Sequence, residues 1–433
     1  MTFAEPGPVA SPVIVSSQKR KLRSRGRMTN TDIDETNELV NFPIQRTCPF
    51  AIPPVYTQFR EESPVSQVVL PDGGKAWLVT KYEDVRAVMA NPKLSSDRRK
   101  KDFPVVVPGQ NAALNKHAPF MIILDGADHS AARRPVISEF SVRRVASMKP
   151  RIQEIVDGFI DDMLKLPKPV DLNQVFSLPV PSLVVSEILG MPYEGHEYFM
   201  ELAEVLLRRT TDEQGRINIS IELRKYMDKL VEEKIDNPGD DLLSRQIELQ
   251  RQQGGIDRPQ LASLCLLVLL AGHETTANMI NLGVFSMLTK PQLLAEIKAD
   301  PSMTPKAVDE LLRFYTIPDF GAHRLAMDDV EIGGVLIRKG EAVIASTFAA
   351  NRDPAMFDDP EELDFSRDAR HHVAFGYGPH QCLGQNLARM ELQVVFDTLF
   401  RRLPDLRLAV PVEELCFKSD ALVYGLYELP VTW

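Results

Sequence analysis

The chain has little cysteine: four in 433 residues, at positions 48, 265, 382 and 416. They are too few and too scattered for a disulfide framework or a zinc site, which fits a reducing cytoplasm. Positive charge is not in excess. Lys and Arg number 50 against 60 Asp and Glu, a formal net charge of −10, so the chain as a whole is not built to bind nucleic acid. Long hydrophobic runs are missing too. The longest, Leu264 to Ala271, falls far short of a membrane span. No apolar segment follows the basic residues near the start, so no secretory signal is read there. No G-x-G-x-x-G fingerprint follows a strand pattern, which excludes a built-in dinucleotide site. A zinc-protease reading of His273-Glu274 fails because residue 277 is Ala.

What remains is an ordinary globular composition, 44% hydrophobic and 25% charged. The length allows two or three domains and a large core. Residues 1–27 differ from the rest: Lys19, Arg20, Lys21, Arg23, Arg25 and Arg27 stand against one acid, Glu5. Residues 1–41 read as a disordered leader with no part in chemistry. Val65–Leu70 and Lys75–Thr80 flank Pro71-Asp-Gly-Gly74 and predict a hairpin. Tyr82–Ala90 reads as a helix ended by Asn91-Pro92. Between 143 and 250 lie several amphipathic helices, with breaks at Pro167, Pro179 and Pro192. Val330–Ile337 reads as strand–turn–strand, and the chain ends in strand-like material from Glu414.

Two stretches carry chemistry. The first is Phe375-Gly-Tyr-Gly-Pro-His-Gln-Cys382-Leu-Gly384, followed at once by a helical pattern from Gln385. Most free cysteines are simply buried. Here free N–H groups at a helix start and the helix dipole favour a thiolate. Gly376, Gly378 and Gly384 allow tight turns and close approach to a flat ligand. A thiolate so placed is a good axial ligand for haem iron. The second is Leu261 to Asn278, an apolar helix that belongs in a core but is interrupted by Ala271-Gly272-His273-Glu274-Thr275-Thr276. The Thr275 hydroxyl can bond the Ala271 carbonyl one turn back, bending the helix and opening a groove. Cys265 in that helix reads as a packing residue.

The string Phe375-x-x-Gly378-x-His380-x-Cys382-x-Gly384 resembles the haem-binding signature of cytochromes P450. Ala-Gly-x-Glu-Thr-Thr at 271–276 resembles that family's oxygen-binding helix. The motifs stand in the expected order from Phe42 to Trp433. They are most similar to those of soluble bacterial P450s, particularly from actinomycetes. The resemblance implies one mainly α domain with a smaller β-rich part, the triangular-prism P450 fold, over residues 42–433. It implies haem b (iron protoporphyrin IX) with Cys382 as its metal ligand. Ala271, Phe375, Gly376 and Gly384 would lie against the cofactor, and His129, Arg133, Arg324 and His380 would hold its two acid groups. The family often has Pro-Pro-Glu before the first of these histidines, where this chain has Gly126-Ala-Asp128.

Glu274 and Thr275 would be the catalytic acid–alcohol pair that delivers protons to O2. Glu310-x-x-Arg313, a common pattern on exposed helices, would form a structural lock with Arg352. Residues 99–120, Glu197–Arg209, Ile317–Gly321 and Leu422–Tyr424 would shape the pocket. His323, His371 and His372 read as ordinary polar residues. The implied activity is monooxygenation of a lipophilic small molecule by a cytoplasmic monomer. Electrons would come from a separate ferredoxin-type donor contacting Arg133, Arg134 and Arg389. A P450-fold peroxygenase, nitric oxide reductase or oxidative coupler is the alternative. A haem-thiolate sensor or carrier would not need Glu274-Thr275.

Overall fold

The hairpin forms as its turn residues dictate. Val65–Val69 pairs antiparallel with Lys75–Val79, Val65 opposite Val79 and Val69 opposite Lys75. Gly73 closes the turn at φ 83°, in the left-handed region that a side chain would strain. In this computed structural model, which describes residues 39–107, 109–192, 196–318 and 321–433, the hairpin is the middle of a six-stranded sheet. The order is Val40–Asn41, Val65–Val69, Lys75–Val79, Ala342–Ala345, Ala322–Ala326 and Leu94–Ser95. Strand Ala342–Ala345 runs parallel to Lys75–Val79 and antiparallel to Ala322–Ala326, with Arg324 opposite Val343. The sheet thereby fixes where Arg324 sits. Val330–Ile332 and Val335–Ile337 form the expected small hairpin across Gly333-Gly334.

The rest is mostly helix around one large apolar core. Tyr82–Ala90 is helical as its pattern predicts, its buried face made by Tyr82, Val85, Val88 and Met89. The break expected at Pro179 is a helix boundary. The proline starts helix Pro179–Leu189, at the position where its missing N–H matters least. The apolar stretch folds as two consecutive helices, Arg258–Gly272 and Glu274–Thr289, with the break at His273. Together they are long and apolar enough to cross a membrane, but most of that surface is buried inside the protein, as for a core helix. Helix Gln385–Arg402 crosses Glu274–Thr289 closely: a Cβ on Gly283 would lie 2.3 Å from the Phe396 ring.

Behind the Cys382 loop, the lock forms with a different third member. Glu310 and Arg313 are fully buried and joined by two hydrogen bonds of 2.7 Å. Arg367 supplies the other cation, its Nε donating to Glu310 at 3.2 Å. Arg352 turns instead to Glu361 at 2.8 Å and to the Phe314 carbonyl at 2.9 Å. The sequence reading chose the wrong arginine because both lie in the irregular stretch after Arg313, where no period shows which one turns inward.

The described residues from Leu39 onward cluster as one unit. The leader reading, for residues 1–38, lies outside the described residues.

Candidate active site around Cys382

Cys382 sits three residues before helix Gln385–Arg402. Its N–H donates to the Phe375 carbonyl at 2.7 Å, closing the loop. Gly376 and Gly378 adopt φ of 73° and 74°. A Cβ on Gly378 would press on the Met89 carbonyl at 3.1 Å, so glycine lets the loop lie against helix Tyr82–Ala90. Burial pushes the Cys382 thiol up. The Gly384 and Gln385 amides and the charges of Arg133 and Arg389 oppose this without overcoming it. The helix start therefore helps the thiolate less than the sequence suggests; a metal ion bound to the sulfur would favour its deprotonation.

The bent helix lines the same cavity as the Cys382 loop. Thr275 Oγ1 donates to the Ala271 carbonyl at 2.6 Å, the bond expected from the sequence. Gly272 lets Val185 approach, since a Cβ there would lie 2.5 Å from Val185 Cγ2. Ala271, Thr275, Phe375, His380, Cys382, Gly384 and Arg133 all line one cavity of about 190 Å³. Met121, Ile122, Val185, Leu267 and Val268 make much of its remaining wall apolar.

His129, Arg324 and Gly376 stand off this wall but belong to its surroundings. His129 and Arg133, one turn apart on helix Gly126–Arg133, both reach the Cys382 loop. The His129 ring packs on His380 with centroids 4.1 Å apart, and Arg133 donates to the Gln381 carbonyl at 2.6 Å. The altered Gly-Ala-Asp approach does not displace them: Asp125 anchors the helix start on Ser95 Oγ and the Ser96 amide.

Of these basic groups His129 and Arg324 are buried and Arg133 and His380 half-buried, and the acid acting on Arg324, Asp125, is already bonded to Ser95 and Ser96. Burial, then His129, Arg324 and Arg133, hold His380 down to about 3. Burial, opposed by Asp125 and reinforced by Arg98, lowers Arg324 to about 10. His129 Nε2 is buried with no hydrogen-bond partner. Arg98 joins the group. Part of the residue is exposed, yet its enclosed guanidinium is lowered by burial with no acid set against it. Sequence reasoning missed Arg98; its place in Ser95-Ser-Asp-Arg98, next to the strand paired with Arg324's, was the available signal. Buried cations without acids are costly unless a ligand supplies the anions. A flat group with two carboxylates, bound through iron to Cys382, fits this donor set.

Glu274 is not on the cavity wall. It is buried and turned to Lys418, whose Nζ donates at 2.5 Å, with Asn278 donating at 3.1 Å. Burial alone would raise its pKa, but the charges of Lys418 and His273 and the hydrogen bonds from Lys418 and Asn278 together outweigh burial, and Glu274 is held below its ordinary value, as a carboxylate. Gly425 permits this arrangement, because a Cβ there would lie 2.0 Å from Asn278 Oδ1.

Among the segments expected to shape the pocket, Ile317 and Tyr424 pair with one another, and Leu422 with Leu207, away from this cavity. Residues 319–320 lie outside the described residues. Met121 and Ile122, just past the 99–120 stretch, reach the wall instead. Cys265 is buried and pushed up to about 12, an inert thiol. Arg133 faces the cavity and Arg389 is ion-paired with Asp309 at 2.7 Å, so of the three proposed donor contacts only Arg134 is exposed.

The cytochrome P450 family profile matches residues 199–404. The chain is 44% identical over 408 residues to a vitamin D3 dihydroxylase of Streptomyces griseolus, covering 94% of this chain and 100% of that one. It superposes on the crystal structure of cytochrome P450 MoxA from Nonomuraea recticatena with a TM-score of 0.85 and 55% identity, over 91% and 98% of the two chains. A mycinamicin VIII C21 methyl hydroxylase from Micromonospora griseorubida gives a TM-score of 0.87 at 39% identity, over 91% and 100%. A cysteine loop sharing one cavity with a bent threonine helix, and this similarity along nearly the whole described chain, lead to one conclusion: the protein belongs to the cytochrome P450 family, the haem-thiolate monooxygenases.

Proposed function

We propose that this chain hydroxylates a lipophilic natural product or xenobiotic, using O2 and electrons from a separate ferredoxin-type protein, as a cytoplasmic monomer. The observation that carries the reading is one cavity lined by both Cys382 and Thr275. In this reading Cys382 ligates the iron of haem b. His129, Arg133, Arg324 and His380, with Arg98, hold the two acid groups. Bound there, thiolate-ligated haem supplies the activation of dioxygen.

The chain's own residues do the rest. Thr275 ties up the Ala271 carbonyl and presents its oxygen to the cavity, where it can accept and pass on a proton. Glu274, the carboxylate beside it, turns from Lys418 towards Thr275, takes up a solvent proton as it loses that cation, and passes the proton on. Met121, Ile122, Leu267 and Val268 exclude water and favour an apolar substrate. Relatives named for vitamin D3 and for mycinamicin VIII support that substrate class. Arg134, exposed near the Cys382 loop, is a contact for an acidic electron donor. Reversing its charge should slow reduction in a salt-dependent way.

The test is a spectral titration of the haem-bound protein with lipophilic natural products, followed by turnover under labelled O2. A low-to-high-spin Soret shift with one chemical class, and one labelled oxygen atom in the product, are expected. A protein without a Soret band overturns the haem-thiolate reading. Oxidation without label in the product points to the coupling or peroxygenase alternative.

A further inference from the structure

Asp309 stands beside Glu310 on helix Thr304–Tyr315 but turns to other partners. Its carboxylate is half-buried and takes two of them, and both lead to the Cys382 loop. Arg389 Nε donates to Asp309 Oδ1 at 2.7 Å. That guanidinium lies over the Phe375 ring, 4.6 Å from its centroid. His372, 7% exposed, is the second partner. Its Nδ1 accepts the Ala374 N–H at 3.1 Å, so the neutral ring carries its proton on Nε2 and points it towards Asp309 Oδ1 at 3.5 Å. The His372 ring also packs on Phe375, with centroids 5.6 Å apart. The Phe375 carbonyl in turn accepts the Cys382 N–H.

Architecture does not account for this arrangement. Glu310, with Arg313 and Arg367, already ties the helix to the stretch behind the loop, and a part-exposed ion pair adds little stability. What the pair does set is charge near the sulfur. Against burial, Arg133 and Arg389 are the cations that favour the anionic form of Cys382. Arg133 is spent on the Gln381 carbonyl, whereas Arg389 has a carboxylate of its own in Asp309. Burial would raise Asp309, yet the hydrogen bond from His372 and the charge of Arg389 hold it below its ordinary range, so it is charged at neutral pH. A cation with an anion set against it acts on a third group only weakly.

We propose that Asp309 is a positioning residue that sets how easily the bound haem iron is reduced, by pinning Arg389 over Phe375 and cancelling its charge at the Cys382 sulfur. With Arg389 neutralised, the sulfur gives more of its electron density to the metal. An unmatched Arg389 would hold that density back and favour the reduced iron. The step concerned is the transfer of one electron from the ferredoxin-type donor to ferric haem, which becomes ferrous. No bond to Asp309, Arg389 or His372 forms or breaks, and none of them gains or loses a proton. The proposal rests on Cys382 being the metal ligand, and it gives a task to three residues that stand off the cavity wall.

The experiment measures the reduction potential of the haem-bound protein by dye-equilibrated titration. Asp309→Asn leaves Arg389 unmatched and should raise the potential. Arg389→Gln leaves the carboxylate unmatched and should lower it. Each shift should be roughly tenfold in the reduction equilibrium, about 59 mV for one electron, and the double variant D309N/R389Q should fall between the two. Asp309→Glu keeps the charge and should stay close to the wild type. A purely architectural pair would move both single variants the same way, since either one loosens the same contact.

Equal potentials in the wild type and D309N, or shifts of one sign in D309N and R389Q, overturn the proposal. If D309N does not retain haem, R389Q and D309E decide. A lowered potential in the first with an unchanged one in the second supports the proposal, and any other result overturns it. The spectrum of the reduced protein with carbon monoxide keeps the ligand assignment separate. A wild type without the Soret band of a thiolate-ligated haem removes Cys382 as the ligand, and the proposal with it. With that band present in the wild type and the variants, the potentials alone judge Asp309.

Discussion

Two clusters of ionisable groups flank the Cys382 loop. Behind it, Glu310 is gripped by Arg313 and Arg367, and Arg313 also donates to the carbonyls of Asn351, Pro360 and Glu362. Beside the cavity, His129, Arg133, Arg324, Arg98 and His380 crowd together, with Asp125 already taken by Ser95 and Ser96. The first cluster satisfies itself, so its role is architectural. The second is incomplete within the chain, and what it lacks is anionic. Buried charge alone does not mark a site; buried charge that the fold leaves unmatched does.

The largest test of this contrast is Glu310→Ala. It leaves buried Arg313 and half-buried Arg367 without their acid and should cost about 3–5 kcal/mol of stability, measured by urea unfolding, whether or not haem is present. An unchanged midpoint would make the cluster dispensable.

Lys418→Met tests the third buried pair and should cost about 3 kcal/mol at neutral pH. The pH dependence has a definite sign. Glu274 is held below its ordinary value of about 4.3. Its contribution is therefore complete above that pH and is lost as pH falls through the lower, folded value. Without Lys418, burial dominates and raises Glu274 above its ordinary value. The variant should then gain stability as pH falls from neutral towards about 4.3, where the wild type stays level. Parallel pH curves would show that Lys418 does not set the charge of Glu274.

Arg324→Met should change sign with the cofactor. In the haem-free chain, removing an unmatched buried cation is neutral or stabilising by about 1–4 kcal/mol. In the haem-bound protein it should weaken haem retention by about 2 kcal/mol, roughly 30-fold in Kd. Equal effects in both forms would place Arg324 with the self-satisfied cluster.

Thr275→Ala is the smallest in stability, within about 1 kcal/mol, since one hydrogen bond to Ala271 is lost. Its mark should be in coupling, with less product per NADPH at similar NADPH consumption. Unchanged product yield would remove Thr275 from the proton path.

Cys382 with its glycines, the Ala271–Thr276 interruption, the Val65–Val79 hairpin and helix Tyr82–Ala90 could be read from the chain because each is a local pattern. Turn residues, periodicity and one-turn hydrogen bonds act over a few positions. The sequence determined by itself where the metal-ligating sulfur lies, where the core helix bends and which family the chain resembles.

It did not show that Arg367 rather than Arg352 grips Glu310, that Lys418 reaches Glu274 from 144 residues away, that Arg98 joins Arg324, or that Glu391 lies unmatched on the cavity wall. A charged residue in a sequence carries no sign of whether it will meet water, an opposite charge or nothing. Only the packing of distant segments sets its dielectric surroundings and its partners. That packing, decided by the tertiary structure, is what holds Glu274 below its ordinary value and pushes Glu391 above its own.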